Sequence, residues 1–206
     1  MDDHPQQSDK LHRRGLLFIL SSPSGAGKTT LSRKLLEADE EIKLSISATT
    51  RPPRPGEKDG VHYYFVSEAE VDRMIEEDDF YEWAHVFGYR YGTPKGIIRK
   101  ALKGGQDFLF DIDWQGTQQL YQKDQQDVVS VFILPPSLPE LRRRLEARAQ
   151  DSDDVIDDRM ERARAEISHW AEYDYVVIND SVDDCFDRVS EVLDAERYER
   201  PESGVS

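Results

Sequence analysis

The sequence predicts an α/β protein: a parallel β-sheet flanked by helices, with a small β-rich segment inserted. Three observations carry that prediction. Short apolar runs of β-type alternate with stretches of helical periodicity. A glycine-rich turn followed by Lys-Thr lies between the first run and the first helix. Residues 50–92 then break the alternation with a proline-rich stretch and closely spaced aromatics.

The first run, Leu16-Leu17-Phe18-Ile19-Leu20, reads as a strand over 16–21, and Leu31, Leu35 and Leu36 give residues 28–38 a helical apolar stripe. Between them stands Ser22-Pro23-Ser24-Gly25-Ala26-Gly27-Lys28-Thr29, with Thr30 following. Strand, glycine-rich turn, Lys-Thr and helix are the context of a phosphate loop, which makes the sheet one of P-loop NTPase type. Gly25 and Gly27 let the backbone curl so that successive N–H groups point at one anion, and the helix adds its positive N-terminus. Lys28 is placed to reach the outer phosphates and the Thr29 hydroxyl to hold Mg²⁺. Ser22 stands where the motif has its first glycine; a positive φ there would strain it mildly.

Four further core strands follow at 43–48, 107–111, 128–134 and 175–178, nearly continuous in apolar character as in strands covered on both faces. Helices are predicted at 94–103, 114–122, 138–150, 153–172 and 182–197. Thr93 is read as the cap of the first of these, with Pro94 at its first position. In the insertion, TTRPPRPGEKDG is excluded from helix and central strand by its prolines. VHYYFVS and then a short helix capped by Ser67, with Glu70 three residues on, come next. The aromatic run FYEWAHVFGYRYG reads as β-hairpins of a separate subdomain. Residues 1–14 and 198–206 are polar tails.

At 206 residues the chain suits one domain with insertions. No apolar stretch approaches the roughly 20 residues that span a bilayer, and the N-terminus lacks the apolar centre of a signal peptide. The single cysteine, Cys185, excludes an internal disulfide and a cysteine-based zinc cluster and reads as packing. A soluble cytoplasmic protein is expected, with no membrane partner. The net charge of −15, from 27 basic and 42 acidic side chains, argues against a nucleic-acid partner. General solubility and a salty cytoplasm both account for the acidic excess. His62, His85 and His169 show no metal-ligand spacing, Trp114 and Trp170 read as packing residues, and a homo-oligomer is compatible with the sequence.

Basic residues are nonetheless gathered locally, in RPPRP and in RRRLEAR. Arg51 and Arg54 sit three residues apart on a proline-stiffened stretch, and the planar arginine fork matches a phosphate. A solvated basic loop is the competing reading of those two residues alone.

Taken in order, SPSGAGKTT, S-x-x-x-R-x-x-R-x-G-E from Ser47 to Glu57, G-x-x-Y-x-F from Gly60 to Phe65, E-W-A at 82–84, Y-G-T-P at 91–94, D-I-D-x-Q-G at 111–116 and Y-D-Y-x-x-x-N-D at 173–180 resemble the guanylate kinase family of nucleoside monophosphate kinases over residues 15–197. The resemblance implies ATP and GMP as substrates, Mg²⁺ carried with ATP, a GMP-binding subdomain at about 49–92 and a lid at about 138–170. It implies that Ser22 through Thr30 hold the ATP phosphates and that Asn179 borders the adenine side, although a turn role for Asn179 stays open. Ser47, Arg51, Arg54, Tyr63 and Tyr91, with Glu57 ending the same motif, would form the GMP phosphate shell. Glu82 and Thr93 would read guanine, with Asp113 at the same end of the pocket. Lys28, Arg51, Arg148 and Arg159 would stabilise the transferring group, with Arg144 a further lid arginine. Asp111, at the carboxyl edge of its strand, is the expected carboxylate toward Mg²⁺, as is Thr29; capping the next helix is the alternative for Asp111. The competing functions are a peptide-binding scaffold of the same fold and a kinase for another phosphorylated acceptor. The intact Gly27-Lys28-Thr29 and the pair Glu82 and Thr93 weigh against them.

Overall fold

The computed structural model describes residues 13–86, 88–147 and 152–200. Strand β1 (Leu17–Ser21) is buried along its whole length, as expected of five apolar-rich residues in a sheet covered on both sides. After the phosphate loop, α1 (Lys28–Ala38) leads to β2 (Ile42–Leu44) and the chain then leaves this sheet. The insertion holds β3 (Ala48–Thr49), β4 (Tyr64–Phe65), α2 (Glu68–Glu76), β5 (Phe80–Val86) and β6 (Tyr89–Pro94). It returns through α3 (Lys95–Lys103), β7 (Asp107–Asp111), α4 (Trp114–Asp124) and β8 (Val128–Leu134). The lid is α5 (Leu138–Ala147) and α6 (Asp153–Ile167), before β9 (Tyr175–Ile178) and α7 (Val182–Glu199).

The core sheet has the order β2-β7-β1-β8-β9, and every pair in it is parallel. Helices cover both faces. On one, Leu31 and Leu35 of α1 and Cys185, Val189 and Leu193 of α7 pack on Phe18 and Leu20. On the other, Ile98 and Leu102 of α3, Leu120 of α4 and Tyr81 pack on Leu17 and Ile19. Cys185 is indeed core; burial pushes its thiol up to about 11. The second sheet runs β4-β3-β6-β5, antiparallel except between β3 and β4. Ser67 caps α2 by accepting from the Glu70 N–H at 3.1 Å, as the sequence predicts. The lid has its own apolar centre, in which Leu141 and Leu145 meet Ile156, Met160 and Ala163.

The boundaries differ from the sequence reading where one apolar run serves two structures. The run at 43–48 is two strands: β2 ends its ladder when the Ser45 N–H meets the Leu109 carbonyl at 2.8 Å, and Ala48 already pairs in the second sheet. Pro94 is not the first helical residue. Its ψ of 127° is extended, α3 begins at Lys95, and the Thr93 hydroxyl points to Glu82 instead of capping. The helix expected over 153–172 stops at Ile167, and Trp170–Glu172 form a separate 3₁₀ turn. The lid helix expected to reach residue 150 is described to Ala147.

The tails are also shorter than expected. Arg13 grips both oxygens of the fully buried Asp107 at 2.7 and 2.6 Å, and Arg14 grips Asp127. At the other end α7 continues to Glu199, and the Arg200 guanidinium donates to the carbonyls of Gln126 and Asp127. Two buried carboxylates that arginines must compensate explain why these polar residues are held.

Candidate active site

The phosphate loop leaves the carboxyl end of the central strand, where ligands of open parallel sheets bind. Gly25 has φ 94° and Gly27 φ 104°, so the left-handed turns that aim the N–H groups inward fall on residues without a Cβ. Space reinforces conformation: a Cβ on Gly27 would stand 2.4 Å from Asn179 Nδ2, and one on Gly25 within 3.0 Å of Leu141 and Leu145. Ser22 is unstrained, because Asp78 alone among the described non-glycine residues has a positive φ.

Ser22, Pro23, Ser24, Gly25, Gly27, Lys28, Thr29 and Thr30 line a cavity of about 370 Å³. Asp111 and Asp113 join them from the sheet edge, and Glu166 from the lid. Ala26 does not line it: the residue is fully buried, and its carbonyl accepts from Asn179 Nδ2 at 2.7 Å. Asn179 is 1 % exposed and braces the loop from beneath, which places it as support for the cradle and not as an open contact surface. Lys28 Nζ lies 2.6 Å from Asp111 and also donates to the Ile112 carbonyl at 3.2 Å. Asp113, and not Asp111, caps α4, accepting from the Gly116 N–H at 2.9 Å.

The second cluster lies on the inserted sheet. Arg51 is 8 % exposed, and its Nη2 donates to both oxygens of Glu57 at 2.8 and 2.9 Å. Tyr63 and Phe65 flank it, their ring centroids 5.4 and 5.9 Å from the guanidinium carbon. Glu57 and Tyr91 together hold the Arg51 guanidinium above the usual arginine range, while Arg51 and the Arg54 N–H hold Glu57 below the usual carboxylate range. The Arg54 side chain is exposed, and its backbone N–H donates to Glu57 at 2.7 Å. Tyr91 packs edge-on against Tyr63 at 5.9 Å, and the Ser47 carbonyl receives the Tyr64 N–H where β4 enters.

Glu82 stands on β5 beside β6, and the fully buried Thr93 hydroxyl donates to its Oε1 at 2.6 Å. Burial pushes the Glu82 carboxyl up first, the Thr93 hydrogen bond opposes it, and the charge on Asp113 pushes it further up. Asp113 therefore lies electrically between Glu82 and the phosphate loop, since its charge also raises Glu166.

The lid arginines divide. Arg142 binds Glu146 and Asp157, Arg143 binds Glu140, and Arg144 binds Glu140 and the Asn179 carbonyl. These are surface pairings and a brace. Arg159 is half-buried on α6, and Arg148 lies outside the described residues. The sequence reading missed Glu166. Its signal was spacing: it falls seven residues after Arg159, two helical turns along the same face. Of the two tryptophans expected to pack, Trp114 does, stacking flat on His169 with centroids 3.8 Å apart, whereas Trp170 is 49 % exposed and is not a packing residue.

A parallel sheet with a glycine-built phosphate loop at its carboxyl edge defines a protein of P-loop NTPase type. Residues 14–196 match the family described as guanylate kinase. Guanylate kinase of Novosphingobium aromaticivorans is 69 % identical over 192 residues, covering 93 % of this chain and 87 % of that protein. Guanylate kinase of Sphingopyxis alaskensis is 62 % identical over 190 residues, covering 92 % and 86 %. The crystal structure of guanylate kinase from Anaplasma phagocytophilum superposes with a TM-score of 0.69 at 38 % identity, covering 91 % of this chain and 89 % of that one. The chain belongs to the guanylate kinase family.

Proposed function

We propose that the chain transfers the γ-phosphoryl of ATP to GMP, giving ADP and GDP, and that the two clusters divide the work between donor and acceptor. Family membership over nearly the whole chain carries the reaction. The loop from Ser22 to Thr30 receives the ATP phosphates, Asn179 shapes that loop, and Lys28 neutralises charge on the transferring group. Arg51 and Arg54, with Ser47, Tyr63 and Tyr91 around them and Glu57 orienting Arg51, hold the GMP phosphate in line.

Glu82 and Thr93 read guanine, with Asp113 between base and phosphate sites. Guanine offers two donors, N1–H and the exocyclic amine, which one carboxylate accepts together; adenine offers an acceptor at N1. A pocket that leaves a buried carboxylate unpaired rejects the wrong base by about 10⁴-fold. Arg148 and Arg159 come from the lid to the transferring group. The acceptor phosphate, with a second pKa of about 6, is mostly ionised at neutral pH and needs no general base.

Mg²⁺ in phosphoryl-transfer sites is held by one or two carboxylates together with phosphates and water. Among the described residues no group of three or more potential ligands stands together, and Thr29 with Asp111 on the cavity wall fits that sparse pattern. Held there, the ion would supply charge neutralisation for the phosphates. Among the described residues no helix is long and apolar enough to cross a membrane. A single buried thiol suits the reducing cytoplasm, where we place the enzyme.

ADP formation from Mg·ATP with GMP, AMP, UMP or no acceptor tests this reading. Turnover with GMP alone is expected; equal turnover with AMP removes Glu82 from base reading, and none with GMP overturns the assignment.

A further inference from the structure

The phosphate-loop cavity has one wall that neither the loop nor the sheet supplies. Glu166, the penultimate residue of α6, is the lid residue among those lining it. It shares that cavity with Ser24 and Lys28, and the charges of Lys28 and Arg162 attract it. Burial nevertheless pushes this carboxyl above its ordinary range, as does the charge on Asp113. Its Oε2 is buried without a hydrogen-bond partner. A carboxylate with one oxygen buried and unpaired is costly to keep there. It stays because the loop is built to attract anions, and Glu166 is the anion within reach.

We propose that Glu166 is an internal competitor for the phosphate loop: its carboxylate occupies the cavity that a nucleotide phosphate needs, and ATP binds by displacing it together with the end of α6. A polyphosphate beside a carboxylate is repelled at close range. The displacement moves a whole unit. Leu141 and Leu145 of α5 lie against Gly25 and also pack on Ile156, Met160 and Ala163 of α6, so the loop and both lid helices are in one contact chain. Just beyond Glu166, His169 stacks on Trp114 at the start of α4. That stack ties the end of the lid to the core and gives the movement an optical reporter. Phosphate-loop occupancy and the position of this end of the lid are thereby exchanged one for the other.

The inference rests on the phosphate-loop reading above, and the test separates the two. Calorimetric titration with Mg·ATP and with inorganic tripolyphosphate, without GMP, is run on the wild type, Glu166→Gln, Glu166→Asp and Lys28→Ala. Gln removes the charge at nearly constant volume, and Asp withdraws it by one methylene. Both variants are expected to bind both ligands about fivefold to tenfold more tightly than wild type, because a close like charge is removed or drawn back from the cavity. ATP should also perturb Trp114 fluorescence less in the Asp variant. Unchanged or weaker binding in a variant with a wild-type melting temperature overturns the proposal and makes Glu166 a support of the bound state. Equal binding by wild type and Lys28→Ala overturns the phosphate-loop reading itself.

Discussion

The clusters proposed to hold the donor and acceptor phosphates are built by different means. The donor cradle is made of backbone: Gly25 and Gly27 in left-handed conformations, the start of α1, and one cation, Lys28. The acceptor cluster is made of side chains, with Arg51 pinned by Glu57 and ringed by Tyr63, Phe65 and Tyr91. Yet each cation already has a carboxylate, Asp111 on Lys28 and Glu57 on Arg51. Binding on either side therefore exchanges anions at a cation and does not neutralise a bare charge. The difference lies in where the carboxylates come from. Glu57 is six residues from Arg51 in the same loop, so it orients the arginine locally. The donor cradle is also faced by Glu166, on a separate helix, so its occupancy is felt by the lid.

The largest way to break that comparison is Lys28→Ala. Removing the cradle's cation should lower turnover by about 10³-fold or more. GMP affinity should stay within about twofold, because Arg51 and its neighbours share no hydrogen bond with Lys28. Steady-state ADP formation and GMP calorimetry measure the two separately. A mild rate loss, or a parallel loss of GMP affinity, would mean that the clusters are not independent.

The same contrast decides what the sequence made legible. A backbone-built site is written contiguously, so the cradle could be read as one string and its glycines fall where φ is positive. The acceptor site is spread from Ser47 to Asp113, and single residues there were ambiguous until several motifs were taken together. What stayed hidden depends on long-range contact. Asn179 lies 153 residues from the Ala26 carbonyl it holds, and nothing local separates a loop brace from a ligand contact. Glu166 sits in a charged helix where its neighbours are solvated. The 43–48 run failed differently: period and composition mark a strand but not the sheet it joins. Arg13 and Arg14 looked like tail because the carboxylates that bind them are 94 and 113 residues away.

A smaller effect sharpens the acceptor side. Glu82→Gln keeps the shape but replaces one acceptor by donors, and should lower kcat/KM for GMP by about 10²-fold while reducing discrimination against AMP. The wild type adds a pH signature. In the proposed role of Glu82, GMP needs the carboxylate form, and burial raises that carboxyl in the folded protein. Its KM for GMP should therefore climb as pH falls, beginning above the ordinary glutamate range of about 4.3. The acceptor phosphate titrates near pH 6 as well, so the readout is the wild-type profile divided by that of the Gln variant. A flat ratio would remove Glu82 from direct contact with the base.

The smallest expected effect concerns the junction between the two regions. Asp78, at φ 52°, receives Lys95 from α3 and Lys123 from α4, and these hold its carboxyl down at about 2. Asp78→Asn preserves a residue type that tolerates the left-handed region and removes only the charge. The folded pKa is depressed, so the stabilisation is present above the unfolded value near 3.9 and is lost as pH falls toward 2. The Asn variant should melt roughly 1–3 °C below wild type at pH 7, since the Asp78 side chain is largely solvent-exposed although Lys95 is buried. That gap should close between pH 4 and pH 2. Catalysis offers the sharper reading. If the junction only fastens the inserted sheet to the core, kcat should be unchanged. A changed kcat at unchanged KM for both substrates would instead make Asp78 part of the hinge through which the acceptor cluster meets the donor cradle.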